Sequence, residues 1–203
     1  MTTQTARKTF IGSDTKRRTI LDGARSIFLA HGYGGASMDQ VAAAASVSKM
    51  TLYRYFVGKE QLFAGVVEDL CERIADDALS AAMETLPPEQ ALRAFAKRIL
   101  ATLFDPDTIE LHRIVIAESR RFPELGRLFY QQGPEGSVGI LEAYLRNHAD
   151  DPRLRIGSPR IAAEEFLSLL RGYAHLRILL GIDALETCDL QGQIDSAVAH
   201  LTP

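Results

Sequence analysis

The sequence predicts an all-α protein of about nine helices, a three-helix N-terminal domain followed by a larger helical bundle. Three observations carry this. No proline precedes Pro87, so the first part of the chain lacks the strongest helix breaker. Apolar residues recur at three- and four-residue spacing through nearly the whole length. No segment alternates apolar and polar residues over a convincing length, and there is no repeat of constant period. His112 to Ile116 reads as a short strand in isolation, but its capped, helical flanks argue against that.

The elements follow in order. After a polar start, Ile20, Leu21, Ala24, Ile27 and Phe28 share one face, predicting a helix over 14–31 that Gly32 stops. Residues 1–15 are expected to form a flexible arm. Gly32 to Ala36 is a turn. Ser37, with Gln40 three residues on, makes a capping box for a helix over 38–45. Ser46, Val47 and Ser48 interrupt it, and Ser48 caps a second short helix over 49–55. Phe56, Val57 and Gly58 close that one. Lys59 then opens a longer helix whose apolar stripe is Leu62, Phe63, Val66, Val67, Leu70 and Ile74.

Pro87 and Pro88 mark the start of a helix carrying Ala91, Leu92, Phe95, Ala96, Ile99, Leu100 and Leu103. Asp107 and Glu110 have capping-box spacing for the next helix, which carries Leu111, Ile114, Val115 and Ile116 and ends or bends at Phe122-Pro123. Leu125, Leu128 and Phe129 make a further turn or two, and the run from Gly133 to Gly136 is expected to loosen the chain. A helix resumes through Ile140, Leu141 and Leu145, followed by a polar surface loop over 147–158. Ser158-Pro159 starts a long helix to about Leu180, stopped by Gly181, and a last helix covers 187–201. The organisation expected is an arm over 1–15, a head over 16–60 and a bundle over 61–203.

Composition sets outer limits. Of the 203 residues 46% are hydrophobic, enough for a globular core and against global disorder. No apolar run is long enough to cross a bilayer, and the first ten residues have no apolar signal region, so a cytoplasmic location is expected. Cys71 and Cys188, far apart, make neither a disulfide framework nor a metal site and read as inert packing or surface residues. The net charge of −3 hides an asymmetry. Residues 1–63 carry nine basic and four acidic side chains, a net +5, while the remainder carries fourteen and twenty-two, a net −8. A basic head on an acidic body suits a polyanion at one end, although charge alone is equally compatible with chance.

Segment 36–60 is the informative one. Two short helices joined by a three-residue turn form a helix-turn-helix, with Val41, Ala42, Ala45, Val47, Leu52 and Phe56 facing inward. The second helix turns Lys49, Met50, Thr51, Tyr53, Arg54 and Tyr55 outward. Lysine and arginine answer phosphate charge, and lysine reaches guanine acceptors in the major groove. Tyrosine hydroxyls donate to phosphate oxygens, and a methionine or threonine methyl fits against a thymine methyl. Ser37 and Lys59, each at a helix start, are expected as phosphate anchors, with Met38 and Ser48 completing the contact set. The bland alternative is a helical hairpin with a solvated polar face; two outward tyrosines beside Lys49 and Arg54 argue against it.

Over residues 20–66 the chain resembles the N-terminal domain of the TetR family of bacterial regulators. The matching positions are Ala24, Phe28, Gly32, Tyr33, Ser37, Met38, Val41, Ala42, Ala45, Val47, Ser48, Lys49, Thr51, Leu52, Tyr53, Tyr55, Phe56, Lys59, Glu60, Leu62 and Phe63. Ser46 departs from the pattern, which usually has glycine in the turn. Residues 111–130 resemble the body of the AefR-like repressors. The resemblance implies an all-helical homodimer with three N-terminal helices, a connecting fourth, and a C-terminal ligand-binding and dimerisation bundle. It also implies a sequence-specific transcriptional regulator, a repressor released from its DNA operator by a small-molecule effector, with Lys49 to Tyr55 as the recognition helix. A two-fold dimer sets two such helices in successive major grooves, so the operator is expected to be palindromic.

Dimerisation is expected through 159–180 and 187–201. Ala162, Phe166, Leu170, Ala174 and Leu180 form an apolar stripe that serves equally as a dimer face or as interior core. Candidate effector-pocket residues are Phe95, Ile99, Leu103, His112, Val115, Ile116, Phe166, Leu170 and Tyr173, each of which also reads as ordinary core. An enzyme is not expected. Histidines 31, 112, 148, 175 and 200 form no metal-ligand pair, adjacent Glu164 and Glu165 point to different helix faces, and no P-loop, dinucleotide fingerprint or nucleophile elbow is present. No cofactor and no metal are expected. A helical adaptor that binds only protein is the remaining alternative, and the basic, tyrosine-bearing helix argues against it.

Overall fold

A computed structural model of the chain describes residues 3–72, 77–182 and 187–203, with side chains described for 15–70, 79–182 and 187–203. The expected arm over 1–15 lies almost wholly outside the described side chains, as do Cys71 and Ile74. The helices are α1 (Thr3–Gly35), α2 (Met38–Ala44), α3 (Lys49–Tyr55), α4 (Lys59–Glu72), α5 (Asp77–Thr85), α6 (Pro88–Leu103), α7 (Pro106–Glu118), α8 (Pro123–Tyr130), α9 (Gly136–Asn147), α10 (Pro159–Leu179) and α11 (Leu190–Leu201). No strand occurs among the described residues.

The chain forms two compact units. The first holds Met1–Asp69 and Ile114–Leu128; the second holds Leu70–Arg113 and Phe129–Pro203. The unit containing the head therefore also takes in most of α4 and the segment 114–128.

In the first unit, Ile20, Leu21, Ala24 and Phe28 of α1 are buried together with Val41, Ala42, Leu52, Phe56, Leu62, Phe63 and Val66. Phe28, Tyr33 and Phe63 pack ring on ring at 5.2–6.0 Å, and Phe122 joins at 5.1 Å from Tyr33. Such pairs add to simple area burial. Gly23 lets α1 approach the end of α2, since a Cβ there would sit 2.9 Å from the Ala45 amide nitrogen. Gly32, expected as a stop, breaks α1 with φ 67° and ψ 174°, and the helix resumes only to Gly35.

The second unit buries Ala91, Leu92, Phe95 and Ala96 of α6 against Leu141 and Leu145 of α9, Ala163, Phe166 and Leu170 of α10, and Ala197, Val198 and Leu201 of α11. Phe95 and Phe166 lie 6.5 Å apart at its centre. The α10 stripe is thereby resolved. Ala162, Phe166, Leu170 and Ala174 are core, and Leu180 alone of the five is exposed. Pro88 opens α6, and Gly181 (φ 70°) stops the chain after α10, both as expected.

Several boundaries differ for identifiable reasons. The cap of α7 is Asp105, whose Oδ1 accepts the Asp107 and Thr108 amides at 3.1 and 3.2 Å; Pro106 takes the first helical position, displacing the expected Asp107 cap by two residues. Glu110, expected as the partner of that box, instead pairs with Arg113. The Gly133-Pro134 run stays helical as a π-turn, with the Ser137 hydroxyl bonded to the Gly133 carbonyl at 3.0 Å. α10 carries an unforeseen break at Gly172 (φ 50°, ψ −167°). α11 begins at Leu190, capped by Asp189, whose Oδ1 accepts the Gly192 amide at 2.8 Å. The loop before α10 is present, pinned by buried Leu154 and by the Arg155 amide on the Leu201 carbonyl.

Candidate nucleic-acid interface

The α2–α3 hairpin is built by its caps. The Ser37 hydroxyl accepts the Gln40 amide at 3.3 Å, and the Gln40 side-chain oxygen accepts the Ser37 amide at 2.8 Å. Ser48 accepts the Thr51 amide at 3.2 Å, and the two hydroxyls lie 2.9 Å apart. Between the helices Ser46 has φ 52°, the only positive φ at a described non-glycine residue. The turn is closed by Ser46 N on Ala43 O at 3.1 Å and Val47 N on Ala42 O at 2.9 Å. The turn position where the resembled family has glycine thus demands a left-handed backbone, and serine supplies it at about 1 kcal/mol.

The inward residues behave as read: Val41, Ala42, Ala45, Leu52 and Phe56 are buried, and Val47 is half-buried. Outward, Met50 is 85% exposed and Tyr53 50%, large hydrophobic groups kept in water on a folded face. Lys49 and Arg54 are exposed beside them, and Thr51 and Tyr55 are half-buried. The Arg54 guanidinium lies 5.5 Å from the Tyr55 ring. Ser37 and Ser48 are exposed at their helix starts, with Met38 half-buried.

Two charged groups differ from expectation. Lys49 is held by Asp39 of α2, Nζ to Oδ1 at 2.6 Å, and this hydrogen bond raises the lysine pKa. Asp39 brings a carboxylate to the same face; its place in the first turn of α2 was the only sequence signal for it. Lys59, expected as a phosphate anchor at the start of α4, has its ammonium turned to the end of α1. Its ammonium donates to the Tyr33 carbonyl at 2.7 Å and the Ala36 carbonyl at 3.0 Å, and lies 4.6 Å from the Tyr33 ring. The reason is the break in α1, which leaves terminal carbonyls without helical partners. Lys59 braces the end of α1.

Other braces fix the head. Arg17 of α1 pairs with Glu68 of α4 at 3.0 Å and lies 5.8 Å from the Phe56 ring. Glu118 of α7 accepts the Gly34 amide at 2.7 Å.

The nine candidate pocket residues differ in burial and fall in both units. Phe95, Phe166 and Leu170 are fully buried, Ile99 is buried, and Leu103 packs at the edge of that core. Val115 is buried within the first unit. Ile116 is 65% exposed, because successive helical residues cannot share a face, and Tyr173 is 79% exposed just past the Gly172 break. Tyr173 lines an open cleft of about 440 Å³ between α10 and α11, with Leu169, Arg177, Asp189 and Gln193. A smaller apolar groove of about 270 Å³ is lined by Lys97, Leu100, Ala101, Phe104, Leu190 and Ile194.

His112 is half-buried, its Nδ1 bonded to the Thr108 carbonyl at 2.8 Å, its ring 4.6 Å from Phe129 and 5.0 Å from His175. Burial lowers its pKa. His175, which the candidate set omitted, is the more deeply buried of the pair; burial, then His112 and Arg171, lower its pKa to about 4. Nothing local in the sequence pairs these two histidines. Among the described residues no cluster of three or more metal-ligating side chains occurs, and no helix is long and apolar enough to cross a membrane.

Residues 20–66 match the family described as bacterial regulatory proteins, tetR family, and residues 90–201 match the AefR-like transcriptional repressor C-terminal domain. The chain is 32% identical over 207 residues to the HTH-type transcriptional repressor SCO4008 of Streptomyces coelicolor, a match covering 92% of this chain and 94% of that protein. It is 27% identical over 114 residues to the HTH-type transcriptional regulator BetI of Rhizobium meliloti, where the match spans 56% of each. Among solved structures it is similar to the flavonoid-responsive regulator FrrA, with 36% identity and a TM-score of 0.70 over 94% of this chain and 98% of that one.

Proposed function

The chain belongs to the TetR family of transcriptional regulators, and on that premise we propose that it is a homodimeric repressor released from a palindromic operator by a small-molecule ligand. The observation that carries the proposal is the outward face of α3. Met50, Tyr53, Lys49 and Arg54 stand in solvent on a helix whose other face is locked by Leu52 and Phe56. In this reading α3 enters the major groove. Met50 and Thr51 meet base edges, Tyr53, Arg54 and Tyr55 meet phosphates, and Lys49 neutralises a phosphate while reaching a guanine acceptor. Ser37, Met38 and Ser48 place the helix starts of α2 and α3 against the backbone. Lys49 exchanges Asp39 for DNA on binding.

The dimer is assigned to α10 and α11. Ile161, Leu169, Tyr173 and Leu176 of α10 and Leu180 just past it are exposed, and a second copy covering them would give the two-fold arrangement a palindrome needs. The effector reading is supported by the likeness to FrrA, named for its response to flavonoids. The ligand would favour a dimer whose heads are wrongly spaced for DNA. The protein is read as no enzyme, and it works in the cytoplasm, where its DNA is.

The test is a mobility shift on DNA upstream of the protein's own gene. Tyr53→Ala and Lys49→Ala should each weaken specific binding by about tenfold or more. If either binds as tightly and as selectively as the parent, α3 is not the reading helix. Leu176→Glu should give monomers in sedimentation; a dimer that persists would move the interface away from α10.

A further inference from the structure

Four aromatic side chains form a chain through the second unit. Phe104, at the end of α6, meets His175 of α10 edge to face at 5.8 Å; His175 meets His112 of α7 at 5.0 Å; His112 meets Phe129 of α8 at 4.6 Å. Two polar atoms in this cluster are buried without a hydrogen-bond partner, His175 Nε2 and Thr108 Oγ1. Their residues are 4% and 7% exposed. Buried polar groups are nearly always paired, so two unpaired ones on residues that both adjoin His112 are an unusual thing for a core to carry. Tyr144 and Gln193 also have unpaired buried oxygens, but neither belongs to this chain of rings.

Phe104 belongs to two features at once. It covers His175, and it lines the apolar groove between α6 and α11. It is also the C-cap residue of α6, buried at the end of that helix. Lys97 stands at the groove's rim.

We propose that Phe104, Thr108, His112 and His175 form the recognition centre for the hydroxyl group of a flat aromatic ligand whose apolar body lies in the adjoining groove. The proposal deepens the effector reading above and rests on it. The chemistry selects the ligand class. A hydroxyl both donates and accepts, so it suits His175 Nε2 in either tautomer, and it equally suits a hydroxyl such as Thr108 Oγ1. Arg171 places positive potential on both imidazoles, which disfavours a cation and favours an acidic, phenol-like hydroxyl. A full carboxylate is disfavoured by the burial of His175. Phe104 turns aside to join the groove to the cluster.

The test is titration calorimetry of the full chain with apigenin, a hydroxylated flavone, and with its trimethyl ether, alongside a mobility shift without ligand. The parent should bind apigenin, and the ether about tenfold or more weakly, because a site built for a hydroxyl rejects the analogue that lacks it. His175→Phe keeps a ring in the packing and should lose about tenfold in apigenin affinity while no longer separating the two compounds. Thr108→Val provides a second variant with less risk to folding and should shift in the same direction. Circular dichroism checks that both remain folded. Equal apigenin affinity in parent and both variants overturns the proposal, as does a parent that binds benzoate and not apigenin. A parent that shifts DNA but binds no aromatic hydroxyl compound overturns only this inference; one that shifts no DNA overturns the regulator reading itself.

Discussion

The Glu118 carboxylate accepts the Gly34 amide at 2.7 Å and lies 2.6 Å from where a Cβ at Gly32 would stand. One side chain of α7 therefore closes over the broken end of α1, where Gly32 holds φ at 67°. Gly32→Ala should be destabilising in two separable parts. A backbone at φ 67° and ψ 174° is essentially glycine's alone and costs another residue about 1–3 kcal/mol. The new methyl also drives the carboxylate off Gly34, losing a charge-assisted bond of about 1 kcal/mol on this exposed edge. In a Glu118→Ala background that bond is already gone, so the same substitution should cost only the backbone part. Urea unfolding of the four proteins gives the cycle. An identical cost in both backgrounds would mean that Glu118 does not crowd Gly32.

Lys49 and Lys59 look alike in the sequence and should behave differently on DNA. The Lys49 ammonium is exposed and held only by Asp39, whereas that of Lys59 is spent on two carbonyls and a ring. Binding to duplex DNA weakens with salt by a logarithmic slope of about 0.9 per neutralised phosphate. Lys49→Met should reduce that slope by about 0.9 for each recognition helix engaged. Lys59→Met should leave it unchanged and instead lower the thermal midpoint, since the end of α1 loses its brace. Binding isotherms across a salt series, with melting curves, check both. Equal slope losses in the two variants would restore Lys59 as a phosphate contact.

What was legible in the sequence was what is local. Ser37 with Gln40, and Ser48 at the start of α3, are caps whose geometry closes within three residues, and both caps formed as read. Asp105 was missed because Asp107 has equally good spacing, and only the place of Pro106 in the helix decides between them. The direction of Lys59 was hidden because it depends on carbonyls freed by a break at Gly32, far back in the chain. The two stripes of α10 were not separable for a related reason. Leu170 and Leu169 are equally apolar, and only the neighbouring helices determine that the first is core and the second exposed. His112 and His175 share a site through packing alone, so no spacing rule brings them together. Gly172 resembled any glycine tolerated inside a long helix until its positive φ was seen.

Ser46 offers the opposite experiment to Gly32. It occupies a left-handed position, with φ 52°, at the turn between α2 and α3, and it is exposed. Ser46→Gly should relieve the strain and stabilise the protein by about 0.5–1 kcal/mol. The gain is partly offset by glycine's greater freedom in the unfolded chain. Because the turn hydrogen bonds from residues 46 and 47 are backbone bonds, the angle between the helices should persist and DNA affinity should not fall. Denaturant midpoints and a mobility shift measure the two quantities. A loss of stability would mean that the serine side chain makes a contact worth more than the strain.

The buried histidine pair also predicts an acid dependence of stability. In the folded chain burial holds both imidazoles neutral, His175 with a pKa of about 4, whereas in the unfolded chain each titrates near 6.5. Between those values the unfolded state binds more protons than the folded one. Stability is therefore complete above about pH 6.5 and falls as the pH drops through the window towards 4, by at most about 1.4 kcal/mol per pH unit for each group. Carboxylates held low by arginines, such as Asp151 at about 2 beside Arg153, begin to matter only below that window. His175→Phe removes one of the two groups and keeps a ring against Phe104 and His112. Its unfolding free energy should consequently change less steeply between pH 6 and 4.5 than that of the parent, whatever its value at pH 7. Urea midpoints at several pH values provide the comparison. Parallel pH profiles for parent and variant would show that His175 is not kept neutral by the fold, and the recognition centre assigned to it would lose its unprotonated nitrogen.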